Sequence, residues 1–223
     1  MGVLLAIEGI DGSGKGTQAA ELAESARRAG YTVASFSFPT YDGNPFSRAV
    51  ADYLNGEFGS ADEVHPELAA MLYAGDRLHA RAQLVAAIAD HDLVVCDRYV
   101  GSNAAHQGAK LQGEARERLL AWLDEVEYGE FALPRPDLVV LLDAPVALAR
   151  QLVGRKAARG YTTLEADIHE ADAVHSSATR DLYLELAGRN GWRVVATEGA
   201  DGEPREVGEV AAEIWHAVEP LLR

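Results

Sequence analysis

Residues 3–17 read Val3-Leu-Leu-Ala-Ile-Glu-Gly-Ile-Asp-Gly-Ser-Gly-Lys-Gly-Thr17. Val3 to Ile7 has the composition of a short buried strand. Gly9 to Gly14 is a glycine-rich turn, Lys15 follows, and from Thr17 a helical pattern sets in with Ala20, Leu22, Ala23 and Ala26. Strand, glycine loop, Lys and helix is the setting in which a G-x-x-x-x-G-K match becomes a phosphate-binding loop. Glycines let the chain turn tightly, so successive N–H groups converge on phosphate oxygens. The helix N-terminus adds partial positive charge there, and Lys15 brings a mobile point charge for terminal phosphates. A Ser or Thr that reaches Mg²⁺ normally follows the Lys. Here Gly16 stands in that place and Thr17 comes one residue late, which weakens a direct hydroxyl ligand to the metal but leaves the phosphate cradle intact.

Outward from this loop, the first strand–helix unit covers residues 3–29 and closes at Gly30. Further strands are expected at Thr32–Phe38, Asp92–Asp97, Asp137–Asp143 and Trp192–Thr197. Helices are expected at 45–58, 66–89, 112–127, 145–153, 167–189 and 204–221, and the weakly patterned, basic stretch 154–165 reads as a loop or lid. Continuous apolar strands alternating with helices predict an α/β fold, a five-stranded parallel sheet covered by helices on both faces. Ligands of such sheets sit at the carboxyl ends of the strands. That rule gathers Glu8–Lys15, Phe38–Tyr41, Asp97–Arg98 and Asp143 into one place, independently of the motif.

The 223 residues suit one α/β domain, or one domain with a mobile insertion. No run approaches the roughly 20 apolar residues of a membrane span, and neither a signal peptide nor a myristoylation signal is visible. Cys96 is the only cysteine, so no intramolecular disulfide forms and a cytoplasmic location is expected. The net charge of −15 argues against a general nucleic-acid binder and makes whole-molecule steering of an anionic substrate unfavourable. A few clustered Arg and Lys must then do the binding. The seven histidines show no metal-ligand spacing, so no protein-bound zinc is expected, and no Ser-His-Asp arrangement stands out.

Asp97-Arg98-Tyr99 follows the third strand. A carboxylate there can orient Mg²⁺ through water, and Arg98 can clamp a phosphate with two N–H groups. Phe38-Pro39-Thr40-Tyr41 can wall a base or sugar pocket, although core packing explains an aromatic pair as well. Tyr73 and Arg77 are an i, i+4 pair, read either as a stacking platform beside a carbonyl donor or as a solvated cation–π pair. Arg150, Arg155, Lys156 and Arg159 cluster around the expected lid, from which Arg can reach the equatorial oxygens of a transferring phosphoryl group.

Together these segments resemble the thymidylate kinases among the P-loop nucleoside monophosphate kinases. The resemblance runs nearly end to end, through Glu8-Gly-Ile-Asp-Gly-Ser-Gly-Lys15, Phe38-Pro-Thr-Tyr41, Tyr73-Ala-Gly-Asp-Arg77, Asp97-Arg-Tyr-Val-Gly-Ser-Asn103 and Leu133-Pro-Arg-Pro-Asp137. It implies a three-layer P-loop NTPase fold, transfer of the γ-phosphoryl of ATP to dTMP, Mg²⁺, and a homodimer. ATP would lie on Gly9, Ile10, Asp11, Gly12, Ser13, Gly14, Lys15, Gly16 and Thr17, with Arg150 over adenine. The metal would be held mainly by phosphates and water, near Asp11 and Asp97. On the dTMP side, Asp11 would sit near the 3′-hydroxyl and Arg98 and Tyr41 at the phosphate. Phe38 would wall the pocket, Tyr73 would stack on thymine, Arg77 would bond a thymine carbonyl and Asn103 would reach the base edge. Lys15, Asp11, Arg98 and a lid arginine, Arg155 or Arg159, would carry catalysis, because Gly12 stands where one subgroup has a loop arginine. His106 replaces the usual Tyr or Phe near the sugar 2′ position. This leaves a kinase of another base or sugar, or a deoxynucleoside kinase, as the alternatives.

Overall fold

The computed structural model describes residues 2–41, 43–60, 63–154 and 173–222. The expected lid with Arg155, Lys156 and Arg159, and the start of the helix expected from 167, lie outside them. Five strands form one parallel sheet: β1 (Val3–Glu8), β2 (Val33–Ser37), β3 (Leu93–Asp97), β4 (Leu138–Asp143) and β5 (Arg193–Ala196), in the order β2-β3-β1-β4-β5. β1 is central, paired with β3 from Val3 opposite Leu93 and with β4 from Leu5 opposite Leu138.

The three inner strands β1, β3 and β4 are apolar because both their faces are covered. Leu5 and Ile7 of β1, with Val95, Val140 and Leu142, meet Leu22 and Ala26 of α1 (Lys15–Arg28) and Ile214 and Val218 of α8 (Val207–Val218). Leu4 and Ala6 point the other way, with Val94 and Cys96, onto Leu84 and Ile88 of α3 (Pro66–Asp90). Cys96 is wholly buried there, and burial pushes its thiol pKa far above the ordinary value. α6 (Val146–Gly154) and α7 (Ala173–Asn190) follow β4 and precede β5.

Three differences from expectation bear on the site. The loop helix begins at Lys15, not Thr17, with Gly14 as its left-handed N-cap (φ 90°). α4 (Val100–Gly108) fills a stretch for which no helix was expected. α5 (Gly113–Asp124) does not run straight to 127 but passes into a π-helical turn, Glu125–Glu130. The wider turn rotates Glu127 inward, where it is 0% exposed.

Candidate active site

The phosphate-binding loop joins β1 to α1 at the carboxyl edge of the sheet. Gly9 and Gly12 adopt φ of 147° and 83°, which a side chain rarely tolerates. A Cβ on Gly12 would also overlap the Ala149 carbonyl of α6. The same overlap leaves no room at Gly12 for the arginine that one subgroup carries. Gly12→Ala is expected to destabilise the fold by about 2 kcal/mol through combined overpacking and backbone strain. It should weaken ATP binding at the same time, as thermal melts with and without nucleotide will register.

Lys15 is 6% exposed and donates from Nζ to the Ile10 carbonyl at 2.7 Å. Burial first, then the Arg98 guanidinium, lowers its pKa to about 7. Ser13 Oγ lies 3.5 Å from the same Nζ. A Cβ on Gly16 would stand 3.1 Å from Asp97 Oδ2. A hydroxyl at residue 16 would thus sit beside the Asp97 carboxylate. The other carboxylate oxygen, Asp97 Oδ1, is buried without a hydrogen-bond partner among the described residues.

Arg98 follows β3 in a left-handed conformation (φ 67°), its N–H bonded to the Ile7 carbonyl at 2.9 Å. Its guanidinium forms an ion pair with Asp11. It also donates to the Gly9 carbonyl at 3.3 Å and to Ser102 Oγ at 3.2 Å, and lies 3.4 Å from His106 Nε2. Burial would lower the Arg98 pKa, but Asp11 together with Tyr183, Asp97 and Glu8 outweighs it and the pKa ends above the ordinary value. Beneath Arg98, the fully buried Glu8 carboxylate accepts from the Tyr99 N–H (2.9 Å) and Ser102 Oγ (2.5 Å), holding the turn from below. Burial raises the Glu8 pKa.

The opposite wall is built by α2 (Pro45–Leu54) and α3. Asp76, fully buried on α3, accepts from the Thr40 N–H (2.8 Å), Thr40 Oγ1 (2.6 Å) and Asn44 Nδ2 (2.8 Å). Asn44 Oδ1 in turn caps α2 by accepting from the Phe46 and Ser47 N–H groups at 2.8 and 2.9 Å. One carboxylate therefore fixes the loop that presents Tyr41. Phe38 serves both readings given above: it is 3% exposed, packs on Tyr99 at 5.9 Å between ring centroids, and lines the site. Tyr73 meets Tyr53 edge to face, with centroids 6.3 Å apart.

These groups enclose a cavity of about 260 Å³. Asp11, Gly12, Gly14, Lys15, Gly16 and Asp97 line one end; Phe38, Tyr41, Tyr73, Arg77, Asn103 and His106 line the other, with Arg98 among them. Thr17 is exposed on α1 and does not line it, and Arg150 is exposed on α6 beside Ala149. Gly9, Ile10 and Ser13 act from behind, through the bonds to Arg98 and Lys15 already given.

The cavity also holds residues that sequence reasoning missed. Gln107 is 1% exposed, and neither amide atom has a partner among the described residues. Its signal was the i, i+4 spacing from Asn103, visible only once 100–108 is a helix. Ser102 had no separate signal. Glu127, which does not line the cavity but lies behind Arg77 and Asn103, had none either, since a glutamate at a helix end reads as a solvated residue. It accepts from Arg77 Nε (2.5 Å) and Nη2 (2.8 Å) and from Asn103 Nδ2 (2.8 Å). Among the described residues no helix is long and apolar enough to cross a membrane.

The comparisons with known proteins agree with this geometry. A family model described as thymidylate kinase matches residues 7–203. The chain is similar to the thymidylate kinase of Mycobacterium tuberculosis, 36% identical over 206 residues, 91% of this chain and 94% of that protein. It is similar to that of Geobacter sulfurreducens, 32% identical with 91% of each chain covered. A solved thymidylate kinase structure from Candida albicans superposes with a TM-score of 0.75, covering 100% of this chain and 94% of that one. At 21% identity, that likeness speaks for the fold. With the family model spanning most of its length and relatives above 30% identity along nearly all of it, the chain belongs to the thymidylate kinase family.

Proposed function

We propose that this protein transfers the γ-phosphoryl group of ATP to dTMP, giving dTDP and ADP. One observation carries the reading: a single cavity is lined both by the phosphate loop and by the aromatic and polar side chains of Tyr73, Arg77, Asn103 and Gln107, with Arg98 among them. ATP would place its phosphates on the loop N–H groups and Lys15. The dTMP phosphate would meet Arg98 and Tyr41, the sugar would lie toward Asp11 and His106, and thymine would stack on Tyr73 against Arg77, Asn103 and Gln107. Phosphoryl transfer needs in-line positioning and charge neutralisation and no covalent nucleophile. A lid arginine, Arg155 or Arg159, would add positive charge at the transferring group.

Mg²⁺ fits the residues present. Among the described residues the buried Asp97 Oδ1 has no hydrogen-bond partner, and Gly16 leaves space beside that carboxylate. Among the described residues no cluster of His, Cys, Asp and Glu could hold a metal unaided, so phosphates and water would supply most ligands, with Asp97 and Asp11 nearby. When bound, the ion neutralises phosphate charge. We further read the chain as one kinase domain in a cytoplasmic homodimer. The dimer is supported by the family resemblance and by exposed Leu78 and Val85, seven residues apart on α3.

The test is ADP release with Mg-ATP against dTMP, dUMP, UMP, CMP, AMP, GMP and thymidine. Strong preference for dTMP is expected. Comparable turnover of UMP would withdraw the thymidylate assignment and point to His106, beside Arg98, as the group that admits a 2′-hydroxyl.

A further inference from the structure

Arg77 and Asn103 share one partner that touches no substrate. The Glu127 carboxylate, held inward by the π-helical turn, takes two N–H groups from Arg77 and one from Asn103. Asn103 Nδ2 gives its other hydrogen bond to the Ala70 carbonyl at 3.0 Å. Both partners of that amide nitrogen are obligate acceptors, so the amide cannot turn over without setting oxygen against oxygen. Asn103 Oδ1 is thereby left buried, unpartnered among the described residues, in a side chain that lines the cavity. The planar Arg77 fork is spent on Glu127 through Nε and Nη2, which leaves Nη1 for a ligand. Burial would lower the Arg77 pKa, but Glu127 outweighs it, so the guanidinium stays charged and donor-only.

We propose that Glu127 is the positioning residue that sets base specificity, by fixing one acceptor, Asn103 Oδ1, beside one donor, Arg77 Nη1. This rests on the cavity being the monophosphate acceptor's base site. Thymine and uracil present an acceptor, O4, next to a donor, N3–H, and match that pair. Cytosine presents the reverse, an amino donor at C4 next to an unprotonated N3, and meets donor with donor and acceptor with acceptor. Guanine shows the thymine-like pair at O6 and N1–H on a larger ring, so it is left to size. Leaving buried polar groups unpaired is how a site rejects a near-isostere.

Glu127→Gln tests this. Glutamine turns one of the two acceptor oxygens into a donor, so Arg77 and Asn103 no longer find three acceptor contacts and the fixed Oδ1–Nη1 pair loosens. The expected result is a fall of about tenfold or more in the ratio of kcat/KM for dTMP to that for dCMP. The dTMP to dUMP ratio should hold, because those bases share the edge, and so should KM for ATP. A parallel fall for dTMP and dCMP, with their ratio unchanged, would reduce Glu127 to a structural role and overturn the proposal. Should Glu127→Gln fail to fold by circular dichroism, Asn103→Ala decides. It removes the acceptor through which Glu127 acts and leaves the Arg77 pair in place, so an unchanged dTMP to dCMP ratio there overturns the proposal equally. Wild-type protein that prefers another monophosphate would refute the dTMP reading itself. Wild-type preference for dTMP with the ratio preserved in Glu127→Gln would refute only the Glu127 assignment.

Discussion

Replacing Arg98 with alanine is expected to lower kcat/KM for dTMP about a thousandfold, a loss near 4 kcal/mol, with KM for ATP moving a fewfold at most. Two effects combine. The charge facing the acceptor phosphate disappears, and Asp11, which is ion-paired with Arg98 in the structure, loses that cation close to the phosphates. Arg98→Lys should recover little, because one ammonium cannot serve Asp11, the Gly9 carbonyl and Ser102 while also gripping a phosphate. Adding Asp11→Asn to Arg98→Ala should recover part of the loss, because it removes the repulsion between the Asp11 carboxylate and the phosphates. Steady-state kinetics with each substrate varied in turn decides it. An Arg98→Ala enzyme within tenfold of wild type on dTMP would remove Arg98 from the acceptor site.

Lys15→Met is expected to cost at least a thousandfold in kcat while nucleotide binding survives in part, because the loop N–H groups and the helix N-terminus remain. The depressed pKa gives this prediction a second readout. With burial holding Lys15 near 7, the side chain is largely charged below that pH and largely neutral above it. A polyphosphate binds the charged form, so binding raises the pKa and draws in a proton. The sign follows: near pH 6 little uptake is expected from Lys15, and at pH 8 uptake should approach one proton per ATP bound. Apparent ATP affinity should fall as pH rises through this window, by up to about tenfold per unit. Calorimetry in two buffers of different ionisation enthalpy measures the uptake directly. The Lys15→Met protein should lose it, and retention of the full proton in that variant would place the titration elsewhere.

The sheet and the phosphate end of the site were legible in the sequence because each depends on local chemistry. β1, β3 and β4 are unbroken apolar runs since both faces are buried, and Gly9 to Lys15 carries its reason in its own residues. The base end was legible only in part. Tyr73 and Arg77 declared themselves by helical spacing, but Arg77 was read as a carbonyl donor or a solvated cation–π partner of Tyr73, and the structure commits most of it to Glu127, 50 residues away. That commitment depends on a π-helical turn, which no pattern of apolar spacing announces. Asp76 likewise reads as a helix-surface charge, yet it is fully buried and fastens Thr40 and Asn44. Long-range polar partners of this kind are set by topology, and side-chain periodicity carries no trace of them.

The lone thiol has a practical consequence. Cys96 is sealed inside β3 and its thiolate is disfavoured by burial, so thiol reagents should pass the native protein by. A cysteine introduced at exposed Arg150 or Leu68 would then be the single reactive handle on the molecule. A fluorophore or spin label could be attached there without first removing any natural residue, and its signal would come from one site alone.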